Sequence, residues 1–513
     1  MPQAGIEPTT LALGVPYSVR LSYWGGCKNY TPRAENCKSR EEKSREAVCL
    51  SFLCGLRALG GEILGSAPGL RGTFHGRVAG TSIALAPYFL RTGFVNGPFC
   101  QWAAGPILYN QRMHASFVKP DYNAGGFAGL PRAVRSFLGG EPFPLPLDGF
   151  QAQYENVVLC FIDGFGWRHF EKFGAHPFLD RFTRSGAALK LTSQFPSTTS
   201  GHVTCIHTGL NVGRSGIFEW NYYEPLLDAM IVPLLFSFSG TGERDQLKAT
   251  GIDPRRLYPT HTVYQDLKQL GVHSTIFQHR EYTPSTYSNI MFKGANTRGF
   301  KTLPETLVNL KTALEGAGGK NYYFLYYDKI DSISHDYGPA SVHVEAEVEM
   351  FLHTMEQFIT KTKKGKTLFL LTADHGQSEV DPATTIYLNR AFPGIEQFIK
   401  TDRNGKLLVP GGSCRDHFLY IKDEMLDEAQ AVLAKGLEGR ADVVRTDELM
   451  AQGYFGPEIS DAFRAHVGNL VILAYRYESI WWYEKGKFEQ KYLGHHGGLT
   501  PQEMEIPLLA LEL

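Results

Sequence analysis

The sequence predicts an α/β fold: a central, mostly parallel sheet with helices on both faces and a small α+β insertion. Three observations predict it. Val157–Ile162, Tyr322–Tyr327 and Leu368–Leu371 are short apolar runs of the kind that form strands buried on both faces. Each run leads into an aspartate: Asp163, Asp328 and, after Thr372-Ala373, Asp374. Between the runs lie segments with helical spacing, Val342–Phe358 above all.

In chain order, residues 1–112 do not share this pattern. They show little sustained period, and Gly5–Leu13 resembles translated transfer-RNA gene sequence. The region reads as an N-terminal extension, either disordered or the product of a mispredicted start, with Met113 as the candidate true start. No function is placed there. Residues 113–513 read as the main domain, with insertions at about 221–262 and 381–470.

Within that domain a helix is expected near Leu130–Leu138. The strand Val157–Ile162 ends in Asp163-Gly164-Phe165-Gly166, and helices follow from Trp167 and from Pro177. Phe195-Pro196-Ser197-Thr198-Thr199-Ser200-Gly201-His202 gathers hydroxyls at the start of a helix over 201–209. A helix N-terminus offers free N–H groups and a positive dipole end, which suits phosphate. Asn221–Pro225 and the polar loop 237–251 read as an insertion near the site mouth. Thr262–Leu270 predicts a short helix and His273–Phe277 a strand. Phe418–Ile421 is strand-like, and Asp427–Leu437 and Thr446–Ala451 are helix-like. Leu470–Tyr475 and Pro507–Leu513 are apolar strands.

The strand ends carry ligand chemistry. Asp374 and His375 pair a hard oxygen with a borderline nitrogen, a combination that suits zinc. Asp331 and His335 are one helical turn apart, so both can face one ion. His495 and His496 are flanked by glycines. Each feature also has a plain reading: Asp163 as a turn or cap residue, the Ser/Thr cluster as an N-cap, Asp331 and His335 as polar residues facing solvent. Their shared position at strand ends, where ligands bind in α/β sheets, favours a site.

Composition bounds the remainder. The chain has 513 residues and a formal net charge of -1, which argues against a nucleic-acid duplex or an anionic membrane as the main partner. No apolar run approaches 18 residues, so no membrane span is expected. Of eight cysteines, Cys160, Cys205 and Cys414 fall in the main domain, with no Cys-x-x-Cys pair; that usage fits a reducing, cytoplasmic setting.

With these pieces in place the chain resembles the alkaline phosphatase superfamily, and within it the type I phosphodiesterase/nucleotide pyrophosphatase family. The resemblance covers roughly residues 150–513. It rests on Ile162-Asp163-Gly164-Phe165, Phe195-Pro196-Ser197-Thr198-Thr199, Asp331 with His335, Thr372-Ala373-Asp374-His375-Gly376, and His496-Gly497. It implies an alkaline-phosphatase-like sheet and two divalent metal ions, zinc foremost. Asp163, Thr199, Asp374 and His375 would hold one ion, and Asp331, His335 and His496 the other. Thr199 would be the nucleophile, forming a phospho-threonine intermediate, and Asn221 would contact phosphate. The implied substrate is a small phosphodiester or pyrophosphate, a nucleotide above all. Three departures stand. The nucleophile segment is one residue tighter than the family's usual form, which leaves Thr198 as a rival. Asn221 is offset by one. His495 competes with His496. A phosphomonoesterase on the same scaffold, with Arg214 or Lys329 as the extra cation, and a non-catalytic degenerate member are the competing readings.

Overall fold

The computed structural model describes residues 113–142, 145–147, 149–362 and 365–513, with two short paired strands at 77–78 and 81–82. The chain divides into two units, Met1–Ala103 and Ala104–Leu513. The reading of 1–112 as an extension lies otherwise outside the described residues. The motif-bearing strands all belong to the second unit.

Seven strands form its main sheet. They are β1 (Asn156–Ile162), β2 (Ala187–Thr192), β3 (Val272–His279), β4 (Asn296–Phe300), β5 (Lys320–Tyr327), β6 (Thr367–Thr372) and β7 (Glu505–Glu512). Their spatial order is β2-β7-β6-β1-β5-β3-β4. Six strands run the same way, and β7 alone is antiparallel to its neighbours. Val157 through Ile162 are 0% exposed. Side chains alternate between faces along a strand, so both faces of β1 are covered.

The three motif-bearing strands are adjacent and in register. Tyr327 lies opposite Ile162, and Thr372 opposite Phe161. Their carboxyl ends therefore open on one edge of the sheet. Edge strands β2 and β4 carry no apolar run, and the sequence pattern does not reveal them. Strand β4 lies at one edge of the sheet. An edge strand can stay half solvated, so it needs no continuous hydrophobicity.

Three helices position the site: α1 (Thr199–Thr208), α2 (Lys329–Tyr337) and α3 (Val342–Lys361). Helix α1 begins two residues earlier than expected, which makes Thr199 its first residue. Helix α3 buries Val344, Val348, Phe351, Leu352, Met355, Phe358 and Ile359, a stripe at helical spacing.

The insertion at 221–262 opens as a three-stranded antiparallel sheet, Tyr222–Glu224, Ala229–Val232 and Ser237–Phe238. The second insertion is an α+β unit. Gly411–Gly412, Asp416–Leu419, Leu470–Ala474 and Ala441–Arg445 form its sheet in that order. Leu419, Ile421, Leu433, Val443 and Ile472 share a small core there. The strand Leu470–Ala474 belongs to this unit, so the insertion runs a few residues past 470.

Candidate metal centre and active site

The edge formed by β1, β5 and β6 delivers Asp163, Asp331 and Asp374 to one place. Asp163 follows β1 directly, and its N–H donates to the Tyr327 carbonyl at 2.8 Å. Gly164 then turns with φ +71, and a Cβ there would lie 2.9 Å from the Asp331 Cα. Only glycine allows this turn and this approach together. Asp331 sits in the first turn of α2, and His335 follows one turn later.

Two groups of ligand atoms result. Asp163, Asp374 and His375 form one, and Asp331, His375 and His496 the other; within each, one ligand atom per residue lies within 4.8 Å of the rest. His375 stands in both. Its Nε2 is 3.5 Å from Asp163 Oδ1 and 3.3 Å from Asp374 Oδ2. His335 Nε2 lies 3.4 Å from Asp331 Oδ2, beside the second group.

The histidines are set for ligation by Nε2. His375 Nδ1 donates to the Gly376 carbonyl at 3.0 Å, His335 Nδ1 to Gly494 at 2.8 Å, and His496 Nδ1 to Ser197 at 2.9 Å. A carbonyl only accepts, so each Nδ1 carries the proton and each Nε2 presents a lone pair. His495 turns its Nδ1 to its own neighbour's backbone and joins neither group.

Thr199 faces these ligands. Its Oγ1 is 3.1 Å from His375 Nε2, and 3.5 and 3.4 Å from the two Asp163 oxygens. Thr198 caps the helix with extended backbone, and its side chain turns to Glu219 instead. His202 holds this register. Its Nε2 accepts from the Gln194 N–H at 2.9 Å, so its Nδ1 donates to the Thr198 carbonyl at 2.7 Å.

Electrostatics fit a cation. Burial pushes the Asp163 carboxyl well above the usual range, and the charges of Asp374 and Asp331 push it further. Burial likewise raises Asp374. Burial acts to raise Asp331 too, but the neighbouring charges of His335, His496 and His375 outweigh it and hold it low. Asp374 Oδ2 is buried and has no hydrogen-bond partner. An orphaned carboxylate oxygen beside a second acid is costly unless a metal or proton satisfies it. The donor set of carboxylates, imidazoles and a hydroxyl fits divalent zinc.

Asn221 Oδ1 accepts from Ser239 at 2.7 Å, and its carbonyl accepts from the Gly412 N–H at 2.7 Å. Its neighbour Trp220, not Asn221, lines the cavity beside Thr199. Of the two cations considered for a monoesterase, Arg214 pairs with Glu458 at 3.2 Å and Lys329 with Asp328 at 3.1 Å.

Sequence reasoning misses four supporting residues. Tyr326, hidden in the strand run of β5, donates its hydroxyl to Asp163. Gln377, one residue past the Asp374-His375-Gly376 motif, donates to Asp331 Oδ1 at 2.5 Å. Glu219 and Asp416 form a buried carboxyl pair behind the site, each with one oxygen lacking an ordinary partner. Position directly after a motif can flag Gln377. Nothing in the sequence brings Glu219 and Asp416 together.

Comparison with known proteins gives the family. A family model, type I phosphodiesterase / nucleotide pyrophosphatase, matches residues 157–499, well over half of the chain. The chain belongs to that family. It is similar to the venom phosphodiesterase CdcPDE of Crotalus durissus collilineatus, 24% identical over 261 residues, covering 47% of this chain and 29% of that protein. The chain thus spans under a third of that relative's length. Among solved structures it resembles murine ectonucleotide pyrophosphatase/phosphodiesterase 5, with TM-score 0.52 and 18% identity over 69% of this chain and 87% of the other. An inactive form of the murine protein, with a threonine replaced by alanine, is known in complex with AMP. Phosphonoacetate hydrolase from Sinorhizobium meliloti, in complex with phosphonoacetate, aligns with TM-score 0.50 and 17% identity over 71% and 92% of the two chains. These likenesses show a shared fold.

Proposed function

We propose that this protein hydrolyses phosphodiester or pyrophosphate bonds, with nucleotides as substrates, through a covalent phospho-threonine on Thr199. One observation carries the reading: the Thr199 hydroxyl stands between Asp163 and His375, at the head of a helix, facing two groups of buried ligands. Asp163, Thr199, Asp374 and His375 hold one zinc ion in this reading, and Asp331, His335 and His496 the other. When bound, the pair lowers the pKa of the hydroxyl and neutralises charge on the phosphate oxygens.

The chain's own residues supply the rest. The free N–H groups of the first turn of α1 face an incoming phosphate, and the helix dipole favours its charge. Thr199 Oγ1 gives up its proton and forms a bond to phosphorus as the bond to the leaving oxygen breaks, and the leaving oxygen takes up a proton. Water then cleaves the threonine–phosphorus bond, and Thr199 regains its proton. The backbone carbonyls on His335, His375 and His496 hold the imidazoles in one tautomer throughout. The inactive threonine-to-alanine form of the murine neighbour, and its AMP complex, support both the nucleophile and the nucleotide. A monoesterase finds less support, since Arg214 and Lys329 are both ion-paired.

Three measurements test this. Metal analysis should find about two zinc ions per chain; none would favour a degenerate scaffold. A panel of bis-p-nitrophenyl phosphate, a p-nitrophenyl nucleotide ester and p-nitrophenyl phosphate should show preference for the diesters. Configuration at phosphorus should be retained, because two in-line displacements invert it twice. Net inversion would mean that water attacks directly.

A further inference from the structure

The cavity beside Thr199 has a volume of about 220 Å³. Val203 of the nucleophile helix, Leu234, Leu235 and Phe292 give it an apolar interior. Its rim carries Trp220 and Arg244. Arg244 is exposed, and it is the one Lys or Arg among the lining residues. It makes no ion pair among the described residues. Its guanidinium instead lies over the Tyr282 ring, 5.4 Å from the centroid.

Tyr282 is itself fixed, because its hydroxyl donates to Asp328 Oδ2 at 2.5 Å. The Tyr282 ring meets the Tyr326 ring edge-on at 6.4 Å, and the Tyr326 hydroxyl donates to Asp163. A wall of two tyrosine rings thus runs from the ligand cluster to the guanidinium. A planar guanidinium that stacks on a ring keeps its N–H edge free, and that fork matches the oxygens of a phosphate. The nearby cavity charges are Asp163, Asp328 and Asp331. An unpaired cation at the rim is the complement that a second anion on the substrate requires.

We infer that Arg244 binds a second phosphate of the substrate, held away from the attacked phosphorus by the Tyr326–Tyr282 wall. The inference rests on the phosphodiesterase reading above. That second phosphate can sit on the organic group or be joined to the first by an anhydride. The remote contact is made alike in ground and transition states, so it acts through KM.

The test compares three substrates: the p-nitrophenyl ester of thymidine 5′-phosphate, the same ester bearing a 3′-phosphate, and a nucleoside triphosphate. Each is assayed with the wild type, Arg244→Gln and Arg244→Lys. Arg244→Gln should lower kcat/KM for a doubly phosphorylated substrate, relative to the plain ester, by about tenfold and through KM. Arg244→Lys should recover only part of that ratio, because it keeps the charge and loses the stacked fork. A loss on the 3′-phosphate ester assigns the second phosphate to the organic group. A loss on the triphosphate assigns it to the anhydride. Either supports the inference. An active wild type whose ratios Arg244→Gln leaves unchanged overturns this inference alone. A wild type inert toward all three overturns the phosphodiesterase reading and this inference with it.

Discussion

At the scale of single residues, Thr198 and Thr199 are equivalent in composition and divided by backbone geometry. Thr198 caps the helix and turns to Glu219, while Thr199 opens α1 toward His375. Thr199→Ala should therefore lower kcat by at least about 10³-fold, as loss of a nucleophile does elsewhere. Its melting temperature should stay near wild type. Thr199→Ser should keep part of the activity, because it offers the same hydroxyl with a freer χ1. Thr198→Ala should be mild in kcat. A dead Thr198→Ala beside an active Thr199→Ala would reverse the assignment.

Glu219 gives a second test at this scale. Burial pushes its carboxyl up to about 8, against hydrogen bonds from Trp220, Thr198 and Asp416 that pull it down. Burial pushes Asp416 up as well. One proton shared by the pair satisfies both otherwise orphaned oxygens. A pKa raised in the fold means that the folded state holds the proton more tightly. The stability so gained is whole below the unfolded value near 4.5 and is lost as pH rises through about 8. The wild-type melting temperature should fall across that window in zinc-saturated protein. Glu219→Gln, which keeps a donor at every pH, should flatten the fall. An unchanged slope in the variant would show that Glu219 does not titrate there.

At the scale of elements, the decisive contact joins the α+β insertion to the C-terminal motif. Arg415 precedes the strand Asp416–Leu419, and Glu503 lies in the short helix Pro501–Met504. Both are fully buried, and they pair through Nε and Nη2 at 2.9 Å each. Arg415 also donates to the carbonyls of Tyr475, Glu478 and Ala474. Glu503 accepts from the Gly498 and Thr500 N–H groups and the Thr500 hydroxyl, which shapes the loop after His496. Arg415→Met would leave that carboxylate buried and uncompensated. It should cost about 3–5 kcal/mol, read by denaturant unfolding. Adding Glu503→Gln should recover part of the loss. A single variant as stable as wild type would mean that water or a shifted side chain already compensates Glu503.

At the scale of the whole molecule, the ligands come from chain positions 163 to 496 and converge only in the folded state. Metal bound there stabilises the fold by mass action, about 4 kcal/mol at a free concentration ~1,000 times Kd. A chelator should lower the melting temperature and abolish activity, and zinc should restore both. Activity that survives complete removal of metal would end the two-ion reading. A chain starting at Met113 should keep the activity and melting temperature of the full chain. His114 and Val118 bond to Asp442 and Leu499, contacts that the shortened chain keeps. A truncated chain that no longer folds would show that residues before 113 matter.

The sequence by itself determined the strands that carry chemistry. Val157–Ile162, Tyr322–Tyr327 and Leu368–Leu371 are central strands covered on both faces, and only apolar residues can be so covered. It also determined the local ligand pairs, Asp374 with His375 and Asp331 with His335, because neighbours in sequence are neighbours in space whatever the fold. The tertiary structure decided what lies across the chain. It placed His375 in both groups, set Thr199 rather than Thr198 toward them, and put Trp220 in the cavity beside Thr199. It paired Glu219 with Asp416 and Arg415 with Glu503, and it left edge strands β2 and β4 without a sequence signal. The reason is physical. Hydrophobic patterning records which faces are buried. Which polar atom meets which depends on register, helix phase and packing, and a one-residue change in any of these turns a side chain away.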